Sequence, residues 1–178
     1  MESERLVLRA LRLDDAADVQ TFAGDFDVFK HTLSIPHPYE EGMAEAWIKG
    51  LAWSSDLHTY AIEKKGTGSF LGVIGLKLWS KHNRAELSYW LGKPFWGQGY
   101  MTEAARVMVA YGFEELFLHR IYAYAFSTNP ASARVMQKIG MRYEGLLRSH
   151  VMKQGEYLDL VTYGLLRSEY DALRTNQS

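Results

Sequence analysis

The chain has 178 residues, of which 47% are hydrophobic and 23% charged, and this composition is typical of a single globular domain covering residues 1–178. A formal net charge of −1 argues against direct nucleic-acid binding, which usually requires a basic excess. The absence of cysteine excludes disulfides, thiolate zinc sites and cysteine nucleophiles. A charged N-terminus and the lack of an apolar run of about 18 residues predict a cytoplasmic protein without a membrane partner.

The first half of the chain predicts a strand, two helices and three further strands. Residues 5–9 alternate in polarity as a half-buried strand does, and a helix follows with Asp14 or Asp15 as its N-cap. Prolines exclude regular structure at residues 35–39, after which we expect a helix at about residues 40–51. Three apolar runs separated by short turns follow, at residues 59–63, 70–79 and 85–91. Their short connections predict an antiparallel meander.

The second half of the chain predicts alternating strands and helices. An irregular segment at residues 92–99 precedes an amphipathic helix at residues 100–116. A strand at residues 120–125 and a helix at residues 129–139 follow, and a hairpin within residues 151–166 ends the pattern. Strand, loop, helix and strand in the middle of the chain form a βαβ unit, in which the neighbouring strands are parallel.

Two glycines in the loop before the central helix indicate an anion site. Without Cβ atoms, Gly97 and Gly99 allow the backbone to bend tightly and to approach a ligand. The first turn of the next helix has unpaired N–H groups and a partial positive charge, which suits a pyrophosphate. The same glycine pair is also compatible with a simple turn. It is not a Walker loop, and Thr102 stands where the third glycine of a dinucleotide fingerprint belongs.

A second motif follows at residues 129–141. It contains Asn129 and Ser132, both placed at the N-terminal end of a predicted helix. An asparagine at this position is also explained by helix capping alone.

Together, residues 96–104 and 129–141 resemble the Gcn5-related N-acetyltransferase superfamily. Within it they are most similar to the branch that contains the Rim-type acetyltransferases of ribosomal-protein N-termini. Residues 5–9 and 86–91 also fit, and the element order matches over nearly the whole chain. The resemblance implies an α/β (α+β) acyl-CoA N-acyltransferase fold. Such a fold has a mixed, mostly antiparallel six- or seven-stranded sheet with a central βαβ unit and helices on both faces.

The resemblance implies acetyl-coenzyme A as cosubstrate and no metal. In such a family the strand before the glycine loop splays from its parallel neighbour, and the pantetheine arm lies in the gap. The implied cofactor-binding residues are Trp90, Leu91, Trp96, Gly97, Gln98, Gly99, Tyr100, Met101, Thr102, Asn129, Ser132 and Lys138. A backbone N–H near Leu91 would polarise the thioester carbonyl. Lys138 would pair with the 3′-phosphate, although a solvent-exposed helix lysine explains it equally well. Pro94 departs from the family consensus, which carries Gln or Arg there.

Three residues are candidates for the proton transfers of catalysis. The nucleophile must be a neutral amine, so a weak base is sufficient. Glu86, at the start of the strand leading to the cofactor, is the first candidate base, although an exposed strand-end glutamate is an equal explanation. His150 is the second, because histidine titrates near neutrality, but a lone histidine is often structural. Ser132 would donate a proton to the leaving thiolate. A glutamate base of Rim-type relatives does not carry over, because Val151 stands near its place.

The sequence leaves three hypotheses for function. The first is acetylation of a protein N-terminus, for example on a ribosomal protein. The resemblance, and not the sequence itself, implies a monomer or homodimer. The second is acetylation of a small amine such as a polyamine, amino sugar or antibiotic. For a polyamine, Glu40, Glu41 and Glu45 would supply acidic groups, although they equally fit a helix N-terminus. The third is an acyl-coenzyme A-binding domain without catalysis.

Overall fold

The structure, a computed structural model, describes residues 1–175, and residues 176–178 of the predicted single domain lie outside the described residues. The described chain forms seven strands: β1 (Leu6–Ala10), β2 (Leu57–Lys64), β3 (Ser69–Trp79), β4 (Arg84–Leu91), β5 (Arg120–Phe126), β6 (Arg142–Lys153) and β7 (Glu156–Leu166). Its six α-helices are α1 (Ala16–Ala23), α2 (Phe26–His31), α3 (Met43–Leu51), α4 (Tyr100–Glu114), α5 (Pro130–Lys138) and α6 (Arg167–Thr175). No described helix combines the length and apolar character needed to cross a membrane.

The strands are ordered β1-β2-β3-β4-β5-β7-β6 in one sheet. β4 and β5 are parallel neighbours joined through α4, which is the predicted βαβ unit. β7 pairs antiparallel with both β5 and β6, and β1 pairs antiparallel with β2. The prediction of a mixed, mostly antiparallel sheet is therefore confirmed, with seven strands.

The parallel ladder between β4 and β5 is short. Its register joins Arg84 to Arg120, Ala85 to Ile121 and Glu86 to Tyr122. Both strands continue beyond these pairs, β4 to Leu91 and β5 to Phe126. The register pairs thus end at Glu86 and Tyr122, and the splaying that the resemblance implies stays a prediction.

The chain divides into two compact units, and the first contains Met1–Gly75 and Tyr89–Val107. In this unit α1 and α3 contact each other. Their apolar side chains pack with those of β2 and β3, and the buried residues of this core are Ala16, Val19, Ala23, Ala44, Ile48, Ala61, Phe70 and Val73. Burial of each larger side chain contributes about 1.5–3 kcal/mol before entropy is counted. A Cβ on Gly72 would lie 2.2 Å from the Trp90 carbonyl oxygen, so only glycine allows β3 to approach β4 here.

The second unit contains Leu76–Ser88 and the chain from Met108 onward. Its largest fully buried side chains include Leu76, Met108, Phe113, Ile121, Met136 and Leu165. A Cβ on Gly112 would lie 2.7 Å from the Ile121 side chain, so this glycine permits close packing of α4 on the sheet. The prediction of one domain over residues 1–178 stays a prediction.

Several element boundaries differ from the sequence expectation for local physical reasons. The helix expected at residues 40–51 begins at Met43, because Gly42 adopts a left-handed φ of 83° at its N-cap. The short helix α2 and the terminal helix α6 were not expected. β6 begins at Arg142, well before the expected hairpin. The sequence did not predict this earlier start, because the residues of β6 are mostly exposed and show no apolar alternation.

Candidate active site

The predicted glycine loop joins β4 to α4 within the first unit. Gly97 and Gly99 adopt φ angles of 74° and 82°, in a region that residues with a Cβ rarely occupy. The backbone N–H of Glu103 donates to the carbonyl oxygen of Gly99 at 3.1 Å, so α4 begins directly after the second glycine. A Cβ on Gly97 would meet no atom within 4 Å. The loop therefore leaves open space beside a helix N-terminus, an arrangement that fits a pyrophosphate.

The N-terminal segment fixes this loop through a cluster that we call the Arg5–Glu103 clamp, formed by Ser3, Arg5 and Glu103. The Glu103 carboxylate accepts from Nε of Arg5 at 2.7 Å, from its backbone N–H at 2.8 Å and from the Ser3 hydroxyl at 2.7 Å. Nη1 of Arg5 also donates to the carbonyl oxygen of Gln98 at 3.2 Å, and the guanidinium lies 4.6 Å from the Tyr100 ring centre. Burial alone would raise the pKa of Glu103, but these hydrogen bonds hold it below its usual value.

The other predicted cofactor residues of the first unit differ in exposure. Nε1 of Trp96 donates to the carbonyl oxygen of Leu91 at 2.8 Å, and His31 packs edge-on against the Trp96 ring. Exposed residues of the loop are Trp96, Gly97, Gln98 and Gly99, whereas Leu91, Tyr100, Met101 and Thr102 are buried and Trp90 is half-buried. The exposed members of the predicted set in this unit are therefore the loop residues 96–99, and contact with a cofactor stays a prediction.

In the second unit, Glu86 lies on β4 directly beside Tyr122 of β5. Burial raises the pKa of the Glu86 carboxyl, although the nearby Lys77 ammonium acts in the opposite direction. Burial also raises the pKa of Tyr122, and the charge of Glu86 adds to that effect. A carboxyl with a raised pKa is suited to accept a proton near neutral pH. The position fits the base expected from the sequence, whose role stays a prediction.

Glu86 belongs to a row of polar and aromatic side chains that we call the charged face. Its members alternate along three neighbouring strands and are Lys77 and Trp79 of β3, Arg84 and Glu86 of β4, and Arg120, Tyr122 and Tyr124 of β5. The Arg84 guanidinium lies 5.4 Å from the Tyr122 ring centre and 6.0 Å from the Trp79 ring centre. The Lys77 ammonium lies 5.6 Å from the Trp79 ring centre. The carboxyl group of Glu86 is therefore set among cations and aromatic rings.

One cation of the charged face is neutralised within the unit. Arg120 forms a bidentate ion pair with Glu144 of β6. A Cβ on Gly164 of β7 would lie 2.5 Å from the Glu144 carboxylate and 2.7 Å from the Arg120 guanidinium. The glycine thus allows the pair to lie across β7. The hydrogen bonds of this pair raise the pKa of Arg120 and lower that of Glu144.

Asn129 and Ser132 lie together at the N-terminus of α5. The side-chain oxygen of Asn129 accepts from the backbone N–H of Ser132 at 3.1 Å, so Asn129 caps the helix. Because the cap uses the oxygen, the predicted contact with a pantetheine arm would be made by the NH₂ group of Asn129. Lys138 is exposed in the last turn of the same helix. The cofactor roles of all three residues stay predictions.

His150 is exposed on β6, where the pairing with β7 is irregular. The preceding Ser149 has a φ of 47°, and its backbone N–H donates to the Asp159 carboxylate at 2.7 Å. No hydrogen bond or ion pair within residues 1–175 connects His150 to Glu86, the other candidate base. A catalytic role for His150 stays a prediction.

Two further features of the described chain concern metal binding and a surface depression elsewhere. Among residues 1–175, no three His, Cys, Asp or Glu side chains are grouped so that they could hold a metal ion. A surface depression of the second unit is lined by Gly140, Arg142, Ser168, Glu169, Ala172 and Leu173. It contains none of the residues that the sequence predicts for the site.

The family model described as the acetyltransferase (GNAT) domain matches residues 5–142. The chain belongs to the GNAT acetyltransferase family. This GNAT chain is 32% identical over 177 residues, covering 95% of each chain, to YdaF of Bacillus subtilis (strain 168), whose provisional name is ribosomal N-acetyltransferase. The crystal structure of a GNAT-family acetyltransferase from Bacillus anthracis matches with a TM-score of 0.86 at 27% identity, over 94% of this chain and 98% of that one.

A third GNAT comparison concerns the fold alone. The spermidine N-acetyltransferase of Vibrio cholerae, solved in complex with CoA and spermine, has a TM-score of 0.83 at 22% identity, over 94% of this chain and 99% of that chain. Family membership and the N-acetyltransferase relatives establish that the chain is an acetyl-CoA-dependent N-acetyltransferase.

Sequence patterns did not reveal two features of this GNAT protein. The clamp joins Arg5 to Glu103 across 98 residues of sequence, and no short-range pattern signals such a pair. A first-turn glutamate such as Glu103 is explained by the helix dipole alone, whereas its carboxylate also accepts three hydrogen bonds. The cations around Glu86 were also missed, because Lys77 lies on a different strand. Alternation along each strand was the signal that could have placed them on one face.

Proposed function

We propose that this enzyme acetylates the α-amine of a protein N-terminus, such as that of a ribosomal protein, with Glu86 as the base. The observation that carries the proposal is the charge around Glu86. The Lys77 ammonium acts on the Glu86 carboxyl, and a second cation of the charged face, Arg84, is two residues away on the same strand. A polyamine brings several ammonium groups, which these cations repel. An α-amine has a pKa of about 8, so it brings a single positive charge and is partly deprotonated at neutral pH.

The reaction forms one bond and breaks one. The neutral amine nitrogen attacks the thioester carbonyl carbon, and the carbon–sulfur bond then breaks to release the CoA thiolate. Glu86 would take the proton that the amine loses, directly or through water. Ser132 would supply a proton to the thiolate and recover one from solvent. These steps require that Glu86 be ionised when the amine binds.

The remaining predicted residues would bind acetyl-CoA, which supplies the activated acetyl group. The open, left-handed backbone at Gly97 and Gly99 fits the pyrophosphate, and the NH₂ group of Asn129 would donate to the pantetheine arm. The register of β4 and β5 ends at Glu86 and Tyr122, which supports a gap beyond this pair for the pantetheine arm. Lys138 would attract the 3′-phosphate.

The relatives support the same choice of acceptor. The full-length likeness to YdaF, which is provisionally named for ribosomal acetylation, exceeds in identity the likeness to the spermidine enzyme. Exposed Glu40, Glu41 and Glu45 are the features that favour a polyamine as the alternative. The hypothesis of binding without catalysis loses its support, because the relatives carry N-acetyltransferase names. A cytoplasmic location and a monomer or homodimer stay part of the proposal.

Release of free thiol from acetyl-CoA tests the proposal directly. The protein has no cysteine, so a thiol reagent reports only CoA. The acceptor panel contains peptides with N-terminal Ser, Ala, Thr and Met, then polyamines, amino sugars and free amino acids. Each peptide also has an N-terminally blocked control. The proposal expects turnover with free-amine peptides and none with blocked ones. Turnover of a small amine without any peptide would contradict it.

A further inference from the structure

The charged face holds one arginine that the fold leaves without an anion. The Arg84 guanidinium is held beside the rings of Trp79 and Tyr122. Its Nε atom is buried and has no hydrogen-bond partner among residues 1–175. Arg84 also makes no ion pair with any described carboxylate. Arg120, which is its register partner on β5, is neutralised by Glu144.

An unpartnered donor of this kind has an energetic consequence. A buried N–H without an acceptor costs about 1–3 kcal/mol, more when the group is charged. The two rings lie beside the guanidinium and restrict it, so less side-chain entropy is lost when a carboxylate binds to its donors. Nε itself is shielded from solvent, so an anion from outside the described chain would bind to the two terminal Nη groups of Arg84, which is only partly buried as a whole residue.

We propose that Arg84 binds an acidic side chain of the acceptor, so that the enzyme selects protein N-termini with Asp or Glu at the second or third residue. This inference rests on the proposed function, since it assigns the acceptor of the same reaction. Arg84 would act as a specificity-determining residue that contacts the acceptor, and the exposed Lys77 ammonium would add positive potential to the same face.

The position of the acid follows from strand geometry. Arg84 and Glu86 are two residues apart on β4, so their Cα atoms are separated by about 6.6 Å and their side chains share a face. An extended peptide advances about 3.3–3.6 Å per residue. If the acceptor amine lies at Glu86, the side chain that reaches Arg84 belongs to the second or third residue.

The test compares acceptor peptides that differ in one carboxylate. Three peptides are used, all amidated at the C-terminus. The first carries Asp at the third residue, the second carries Asn there, and the third carries Asp only near its C-terminal end. We expect kcat/KM for the first peptide to exceed that of the other two by about tenfold, mainly through KM, with the difference decreasing as salt increases. Calorimetric binding of the N-acetylated products in the presence of CoA should give the same ratio without turnover.

Variants assign the preference to Arg84. Arg84→Gln should reduce the ratio for Asp over Asn peptides to about one, and Arg84→Lys should retain part of it. Lys81→Gln removes a charge from an exposed position next to β3 and should keep the full ratio. Thermal unfolding of each variant verifies that it is folded, and if Arg84→Gln does not fold, Arg84→Lys carries the test.

The outcomes separate this inference from the proposed function. Equal kcat/KM for wild-type enzyme on Asp and Asn peptides, or a preference that persists in Arg84→Gln, would overturn the inference and leave the proposed function intact. Equal kcat/KM for the peptides with Asp at the third residue and with Asp near the C-terminal end would likewise overturn the assignment to that position. Failure of every peptide, with turnover of a small amine, would instead overturn the proposed function.

Discussion

The carboxyl group of Glu86 has a raised pKa because it is half-buried, and the Lys77 ammonium only partly offsets this effect. Its proton uptake therefore falls closer to neutral pH than that of an exposed glutamate. As pH rises through this pKa, the ionised base is formed and kcat/KM should increase. Deprotonation of the acceptor amine gives a separate increase at higher pH.

Replacement of the base should remove the first of these increases. We expect Glu86→Gln to lower kcat/KM by about 100-fold and to abolish the lower-pH limb of the profile, while the limb of the amine remains. Glu115→Gln, which changes an exposed glutamate after α4, serves as the matched control and should keep both limbs. A Glu86→Gln profile that retains the lower limb would show that another group is the base.

Asn129 has two separable roles, one of which is visible in the structure. Its side-chain oxygen caps α5, and aspartate supplies an equivalent oxygen but no NH₂ group. Asn129→Asp should therefore keep the thermal midpoint close to that of the wild type and raise KM for acetyl-CoA several-fold. Asn129→Ala should lower stability by about 1 kcal/mol as well. An unchanged KM for acetyl-CoA in Asn129→Asp would show that the residue acts only as a helix cap.

Among the elements, the loop between β4 and α4 depends on a distant segment of chain. The Arg5–Glu103 clamp attaches residues before β1 to the first turn of α4 and to the carbonyl oxygen of Gln98. Glu103→Gln weakens the charged hydrogen bonds, so the loop should lose order. We expect KM for acetyl-CoA to rise about threefold to tenfold with little change in kcat.

The control for this prediction is Glu4→Gln, which removes an exposed carboxylate beside Arg5 that makes no ion pair among the described residues. Its KM for acetyl-CoA should equal that of the wild type. Calorimetric binding of acetyl-CoA gives a second readout that is independent of turnover. Equal affinity in Glu103→Gln and wild type would show that the loop keeps its shape without the clamp.

The elements that the sequence predicts correctly are those with strong periodic or turn signals. The strands β2, β3 and β4, the glycine loop, α4 and the βαβ unit depend on apolar periodicity and glycine placement. All are present, and the three strands are neighbours in the sheet. β6 could not be predicted over its full length because it is a sheet edge with exposed residues. The clamp depends on a contact between distant segments, which local patterns do not encode. The charged face depends on the order of the strands in the sheet as well as on alternation within each strand.

At the scale of the molecule, several carboxyl groups link stability to pH. Burial would raise the pKa of Asp15, but hydrogen bonds from Arg9 and from the backbone of Arg12 lower it. A folded-state pKa below the unfolded value stabilises the protein above the unfolded pKa, and this contribution is lost as pH falls through the folded pKa. Glu103 and Glu144 act with the same sign. Glu86 acts with the opposite sign, since its folded pKa is raised and its contribution decreases as pH rises.

Asp15 should make the largest single contribution of this kind, because its carboxylate is buried and forms a bidentate pair with Arg9. We expect Asp15→Asn to lower the free energy of unfolding by about 2 kcal/mol at neutral pH, with the difference decreasing in acid. Urea titrations at several pH values measure this. Asp14→Asn, at the exposed neighbouring position, should have almost no effect, and equal losses in both variants would contradict the account.

The most direct test of the central claim is a competition in one vessel. Wild-type enzyme receives acetyl-CoA with equal concentrations of spermidine and of a peptide that carries a free N-terminus and an internal lysine. Mass spectrometry with fragmentation then locates the acetyl group. The account predicts that acetylation occurs mainly on the α-nitrogen of the peptide. Acetylspermidine or acetyl-lysine as the main product would contradict it.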